Sequence, residues 1–300
     1  MVPTDTCGAV SVLDLRFQAD GTVGAFLVRT RVGPVLVETG PESLFGNLRS
    51  AVEAQGFSLE DVRHVFVTHI HLDHAGAAWR LARHGARIHV HPAGVPHMVD
   101  PAKLLASARR IYGEAMDRLW GRLEPIPQEL LVPVADGETV QVGDAAFQAI
   151  HTPGHAIHHI TWRLEDGLFT GDVGGIRIGD GPVIPPLPPP DIDLEAWAAS
   201  IGRMRAARPA CLYPTHFGIK RDPQAHFDSL EANLHRLAAW VKDRMAGGAD
   251  EAALIPAFQD HLNGLLAAEG LSEEAIQDYE IADPAFMSVQ GLMRYWRKRA

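Results

Sequence analysis

The segment THIHLDHAG, residues 68–76, carries three histidines and an aspartate within six positions: His69, His71, Asp73 and His74. Neutral imidazole and carboxylate are good ligands for zinc, manganese and iron. On a single extended strand, period two puts His69, His71 and Asp73 on one face and His74 on the other. A turn between a strand and a helix can instead bring all four inward. One catalytic metal takes about three protein ligands and keeps a position open. Four ligand-type side chains therefore point to two metals sharing the turn. Further candidates stand in turns after strands: His155 in HTPGHA, Asp172 in LFTGDVGG and His216 in YPTHFG. The neighbouring glycines let the backbone approach closely. The chain has no GxSxG elbow, Walker A loop or GxGxxG turn, so no serine nucleophile or nucleotide loop competes for the chemistry.

The elements that must position these residues follow from the apolar pattern. VSVLDLRF, AFLVRT and PVLVETG read as short strands bounded by Gly and Pro. A helix is expected over 41–55, stopped at Gly56. VRHVFVTH is a strand running into the histidine-rich turn, AAWRLARHG a helix, and ARIHVHP another strand. Residues 92–125 have helical periodicity and no strand signal, so a helical insertion is expected there. Strands return with ETVQVG, AFQAIHTPGH, HHITWRLEDG and GLFTGD, joined by Gly and Asp-Gly turns. The loop GDGPVIPPLPPPD cannot be helix or central strand, because proline lacks the N–H and fixes φ. A helix over 193–207 leads into the strand ACLYPTHFG. From about residue 223 the pattern is helical almost to the end. The expected organisation is a layered α/β domain over 1–222 with a helical extension, 223–300, packed on it.

Bulk composition excludes several functions. The 300 residues carry a net charge of −10, a poor basis for gripping nucleic acid, which relies on Lys and Arg contacts to phosphates. Two cysteines, Cys7 and Cys211, form no CxxC pair; both read as small buried hydrophobes rather than a disulfide framework. No basic-then-apolar leader opens the chain, and no run approaches the ~18 apolar residues of a membrane span. A cytoplasmic location is the expectation, with no membrane partner.

The ordered set HxHxDH, His after TPG, Asp in TGD and His before Gly resembles the metallo-β-lactamase superfamily, over residues 35–218 and nearest its glyoxalase II-like and lactonase-like branches. The resemblance implies an αββα four-layer sandwich with the site at one edge. It assigns His69, His71 and His155 to a first metal, Asp73, His74 and His216 to a second, and Asp172 as the bridge. It implies two divalent ions, zinc foremost with manganese or iron as alternatives. The chemistry implied is hydrolysis by a hydroxide held between metals about 3.5–4 Å apart, with Asp73 orienting it. The chain departs from the family in VETG, where many members carry Asp and this one has Glu38. Glu38 and Thr68 are expected to support the ligand histidines from behind.

The substrate is expected to be a small ester, thioester or lactone. A small phosphodiester, an iron-dependent redox reaction, or metal storage without catalysis are the alternatives on the same core. His158, Tyr213, Phe217 and Tyr112 are candidates for the substrate pocket, and His159 for a hydrogen-bonded place in the core. Within the insertion, Arg109 and Arg110 stand beside Tyr112 and Trp120, a mixture suited to an apolar pocket with an anion-binding edge. The insertion is expected to act as a lid and the proline run as a rigid loop at the site. The C-terminal helices are expected to form either a homodimer interface or a further pocket wall.

Overall fold

The computed structural model describes residues 6–299; the side chain of Cys7 lies outside the described part. Two sheets carry the fold. The first runs in chain order from β1 (Thr6–Cys7) through β2 (Val10–Asp14), β3 (Gly24–Thr30), β4 (Gly33–Val37), β5 (His64–Phe66) and β6 (Arg87–Val90) to β7 (Leu131–Pro133). Its first four strands form an antiparallel meander. From β4 onward the pairing is parallel, so each return needs a crossover. Helices α1 (Phe45–Ala54), α2 (Leu72–Ala75) and α3 (Ala78–Arg83) supply two of these.

The second sheet comprises β8 (Thr139–Val142), β9 (Ala145–His151), β10 (Ile160–Leu164), β11 (Gly167–Phe169) and β12 (Cys211–Tyr213), in the order β12-β11-β10-β9-β8. The first four are antiparallel neighbours, and β12 lies parallel to β11. Its crossover contains the proline-rich loop and α7 (Leu194–Ala206).

Side-chain alternation shows why four layers form. On β3 and β4, Phe26, Val28, Val35 and Val37 face the second sheet. Ala25, Leu27 and Leu36 face the helices outside. Between the sheets Phe66 stacks on Phe147 at 4.2 Å and meets Trp162 edge-on at 4.9 Å. The layered α/β domain expected from the strand pattern is observed, in the αββα form that the resemblance implies.

The insertion is helical, as its periodicity predicts: α4 (Val95–Val99), α5 (Ala102–Tyr112) and α6 (Met116–Trp120). The expected helix over 41–55 divides into a 3₁₀ turn, Glu42–Leu44, and α1. The C-terminal part holds α8 (Pro223–Ala246), α9 (Glu251–Ala268), α10 (Glu273–Ala282) and α11 (Ala285–Arg297). Its buried residues, including Leu230, Leu237, Phe258 and Leu292, share one apolar cluster with Trp197 and Met204 of α7 and Leu212 of β12. The extension is thereby fixed to the sandwich. No helix among the described residues is long and apolar enough to cross a membrane.

Candidate metal centre

Every candidate ligand lies just beyond the C-terminal end of a strand at one edge of the sandwich. β5 leads through Val67 and Thr68 to His69; α2 then begins at Leu72 and carries Asp73 and His74. His71 is the residue that caps α2. His155 follows β9, Asp172 follows β11 and His216 follows β12. The turn from strand to helix thus resolves the period-two conflict and sends all four side chains of the HxHxDH segment inward.

The seven residues form two groups with compact ligand atoms, each within 4.8 Å: His69, His71, His155 and Asp172 in one, Asp73, His74, His216 and Asp172 in the other. Asp172 belongs to both, one oxygen to each. Its Oδ2 lies 3.3 Å from His155 Nε2 and 3.9 Å from His69 Nε2. Its Oδ1 lies 3.0 Å from His74 Nε2 and 3.4 Å from His216 Nε2. Asp73 Oδ2 closes the second group, 3.4 Å from His216 Nε2 and 3.5 Å from His74 Nε2.

The groups behind the ligands fix which nitrogen each histidine presents. His155 donates from Nδ1 to the Pro186 carbonyl at 3.0 Å, and His216 from Nδ1 to the Thr22 carbonyl at 2.7 Å. Each ring, when neutral, then carries its lone pair on Nε2, which in His155 lies 2.9 Å from His71 Nδ1. Thr68 Oγ1 holds His69 Nδ1 at 3.0 Å. Glu38, fully buried, stands 3.4 Å from His74 Nδ1 and accepts the Thr68 backbone N–H at 3.3 Å. Glu38 and Thr68 thus lie beside His74 and His69. Gly171, with φ of 47°, lets β11 turn close under this layer; a Cβ there would overlap Thr68 Oγ1 and come within 2.7 Å of His159 Nε2.

Electrostatics and hydrogen bonding both fit cations in the two groups. His69 Nε2, His74 Nε2 and Asp172 Oδ1 are buried with no hydrogen-bond partner, a cost that structures avoid unless another ligand is present. Burial and neighbouring imidazoles hold His69 well below its ordinary pKa and His71 down to about 3, so both offer neutral lone pairs. For Asp172, burial disfavours the charge, but His74 and His155 overcome it and keep the carboxyl ionised. Burial likewise opposes protonation of His216, yet Asp172 and Asp73 raise its pKa to about 10. The second group demands positive charge, which fits a bound cation.

The profile of the metallo-beta-lactamase superfamily matches residues 20–216. The chain belongs to the metallo-beta-lactamase superfamily. Two curated relatives are similar to this chain. The metallo-beta-lactamase fold-containing protein ST1585 of Sulfurisphaera tokodaii is 29% identical over 165 residues, 54% of this chain and 62% of its own length. The atrochrysone carboxyl ACP thioesterase of Aspergillus fumigatus is 29% identical over 228 residues, 74% of this chain and 44% of its own. The matches span about half the length of these curated relatives. Among solved structures, the metallo-beta-lactamase family protein TTHA1429 from Thermus thermophilus superposes with a TM-score of 0.69 at 21% identity, over 97% of this chain and 94% of that one. That likeness of fold takes in the C-terminal helices.

Beside the two groups, this superfamily member opens a mostly apolar cavity. Asp73, His71, His155, Asp172 and His216 form one end. Tyr112 and Trp120 of the insertion, packed edge-on at 5.0 Å, form a wall with Phe17. Pro186 and Pro188–Pro190 form another, and the α10–α11 junction a third, through Ile281, Asp283 and Met287. Tyr112 is thus at the cavity as expected, and the proline run borders it.

Three pocket candidates from the sequence need correction. Tyr213 points between the sheets, buried and stacked on Phe169 at 4.5 Å. Phe217 turns away from the cavity and lies against Gly21 and Gly24. His158 is buried behind the first group, its ring 5.8 Å from that of His71, and does not border the cavity. Arg109 and Arg110 are exposed and add no anion-binding edge to it. His159 is hydrogen-bonded to Thr152 in the core. The residue that sequence reasoning missed is Asp283. It lies far beyond the last motif, and Asp before Pro reads only as a turn.

Proposed function

We propose that this chain is a dinuclear metal-dependent hydrolase that cleaves a thioester or ester with a bulky apolar acyl group. The observation that carries the reading is the division of Asp172, one carboxylate oxygen to each ligand group, at the end of an apolar cavity. Zinc is the cation this His and Asp set suits best, with manganese and iron as alternatives. His69, His71, His155 and Asp172 would hold one ion, and Asp73, His74, His216 and Asp172 the other. Cations held there would supply a lowered pKa for water and polarisation of the substrate carbonyl.

The protein's own residues do the rest. Asp73 is the ligand-group carboxylate most open to the cavity. It orients the attacking water, accepts its proton and returns a proton to the departing thiol or alcohol. The Pro186 and Thr22 carbonyls keep His155 and His216 in one tautomer through the cycle. Phe17, Tyr112 and Trp120 cover the acyl chain and exclude bulk water, which strengthens each charge interaction inside.

The thioesterase named among the relatives supports a thioester over a lactone or phosphodiester. So does the wall chemistry. It offers apolar area for an acyl chain, and among its lining residues no Lys or Arg to neutralise a phosphodiester. The test is hydrolysis of aryl thioesters and esters by the metal-loaded protein against the Asp73→Asn variant. A loss of about 10²–10⁴ in kcat/KM with the fold retained is expected; an unchanged rate constant would refute the role of Asp73.

A further inference from the structure

The C-terminal helices contribute a polar recognition point to the cavity that the metal chemistry does not use. Asp283 sits at the junction of α10 and α11, 7% exposed, and borders the cavity with Ile281 and Met287. One oxygen, Oδ2, accepts from Ser288 Oγ at 2.6 Å. Ser288 Oγ in turn accepts the Leu187 backbone N–H at 3.2 Å, which ties the carboxyl to the proline-rich loop. The other oxygen, Oδ1, has no hydrogen-bond partner among the described residues and keeps some accessible surface, and Asp283 is a lining residue of the cavity. An acceptor at the edge of an apolar wall is left for a bound ligand to satisfy.

We propose that Asp283 is a substrate-recognition residue, and that the preferred acyl group is bulky, apolar and carries a hydroxyl that donates to Asp283 Oδ1. The inference rests on the reading of the site as a hydrolase and names the substrate feature that reading leaves open. A hydroxyl fits better than an ammonium. A single open oxygen satisfies the one O–H donor of an alcohol or phenol, whereas an ammonium brings three N–H donors into walls that are mostly apolar, with Gln18, Ser107 and Tyr112 the polar side chains away from the ligand groups. The tyrosine of the insertion, Tyr112, lines the same cavity, so the ring or chain bearing the hydroxyl is held between insertion and extension.

The experiment compares N-acetylcysteamine thioesters of phenylpropionic acid with those of its ortho, meta and para hydroxyphenyl analogues. It uses the metal-loaded full chain and the Asp283→Ala and Asp283→Asn variants. The free acids are also titrated into each protein by calorimetry. At least one hydroxylated thioester is expected to exceed the plain one by about tenfold or more in kcat/KM. The matching free acid is expected to show the same preference in Kd. In Asp283→Ala that preference falls below about twofold. Asp283→Asn, which keeps a carbonyl for Ser288 or the ligand, retains part of it. Equal preference in wild type and Asp283→Ala, or no preference for any isomer, would overturn the inference. Hydroxyl discrimination in Kd without any Asp73-dependent hydrolysis would uphold Asp283 as a recognition residue and overturn the hydrolase reading instead.

Discussion

Glu38 supports one ligand group and not the other, and that asymmetry can be measured. Its side chain is fully buried, so water cannot replace it. It stands 3.4 Å from His74 Nδ1 in the second group. It reaches the first group only indirectly, through the Thr68 backbone, whose hydroxyl holds His69. In Glu38→Gln the volume is kept and the charge lost. Removing the carboxylate behind a ligand histidine weakens metal affinity by about 10–100-fold, or about 1.4–2.7 kcal/mol. Full burial favours the upper half of that range. The second site should therefore weaken by tens of fold while the first changes by less than about threefold. Zinc titration against a chromophoric chelator resolves the two dissociation constants, and thermal unfolding of the metal-free variant checks that it folds. A folded variant with both constants unchanged, or with the first site weakened more than the second, would refute the reasoning.

Other perturbations test other parts of the site. Gly171→Ala puts a methyl against Thr68 Oγ1 and His159 Nε2 at a positive φ. It is expected to destabilise the fold by about 1–3 kcal/mol and to weaken metal binding at both sites; metal affinity equal to wild type would contradict the placement of Asp172. Trp120→Ala removes a ring stacked on Phe17 at 5.2 Å. It should cost about 3–5 kcal/mol in denaturant unfolding and lower kcat/KM for phenylpropionyl far more than for acetyl thioesters. An equal loss for both would deny Trp120 a place in the acyl pocket. The Asp283 carboxyl, raised to about 7 by burial, keeps a proton in the folded state that the unfolded chain releases near pH 4. Stability should therefore fall as pH rises between about 4 and 7, by up to about 1.4 kcal/mol per unit. Asp283→Asn should lack this component, and a pH-independent difference from wild type would refute it.

The candidate ligand groups were legible because their residues sit in local turns. Each of the residues stands in a short turn after an apolar strand, and the type of side chain at that turn is all the site requires. The layered fold was legible for a related reason, since strands buried on both faces and parallel crossovers read as apolar runs joined by helices. The cavity wall was harder. Tyr213 stands three residues before His216, yet it is part of β12, where alternation sends it between the sheets with Cys211 while Leu212 faces the helices. Phe217 adjoins a candidate ligand, yet it lies in the turn after β12 and packs against Gly21 and Gly24. Closeness in sequence to a ligand therefore says little about facing the substrate. Asp283 reaches the site only through packing of α10 and α11 on the sandwich, a tertiary fact with no local signal.

The central claim is tested most directly by one comparison: initial rates of the zinc-loaded protein and its Asp73→Asn variant on an aryl ester, a lactone, a bulky acyl thioester and an aryl phosphodiester. The account predicts hydrolysis of carboxyl substrates, strongest for the thioester, that collapses in the variant. Turnover confined to the phosphodiester, or carboxyl hydrolysis untouched by the loss of Asp73, would contradict it.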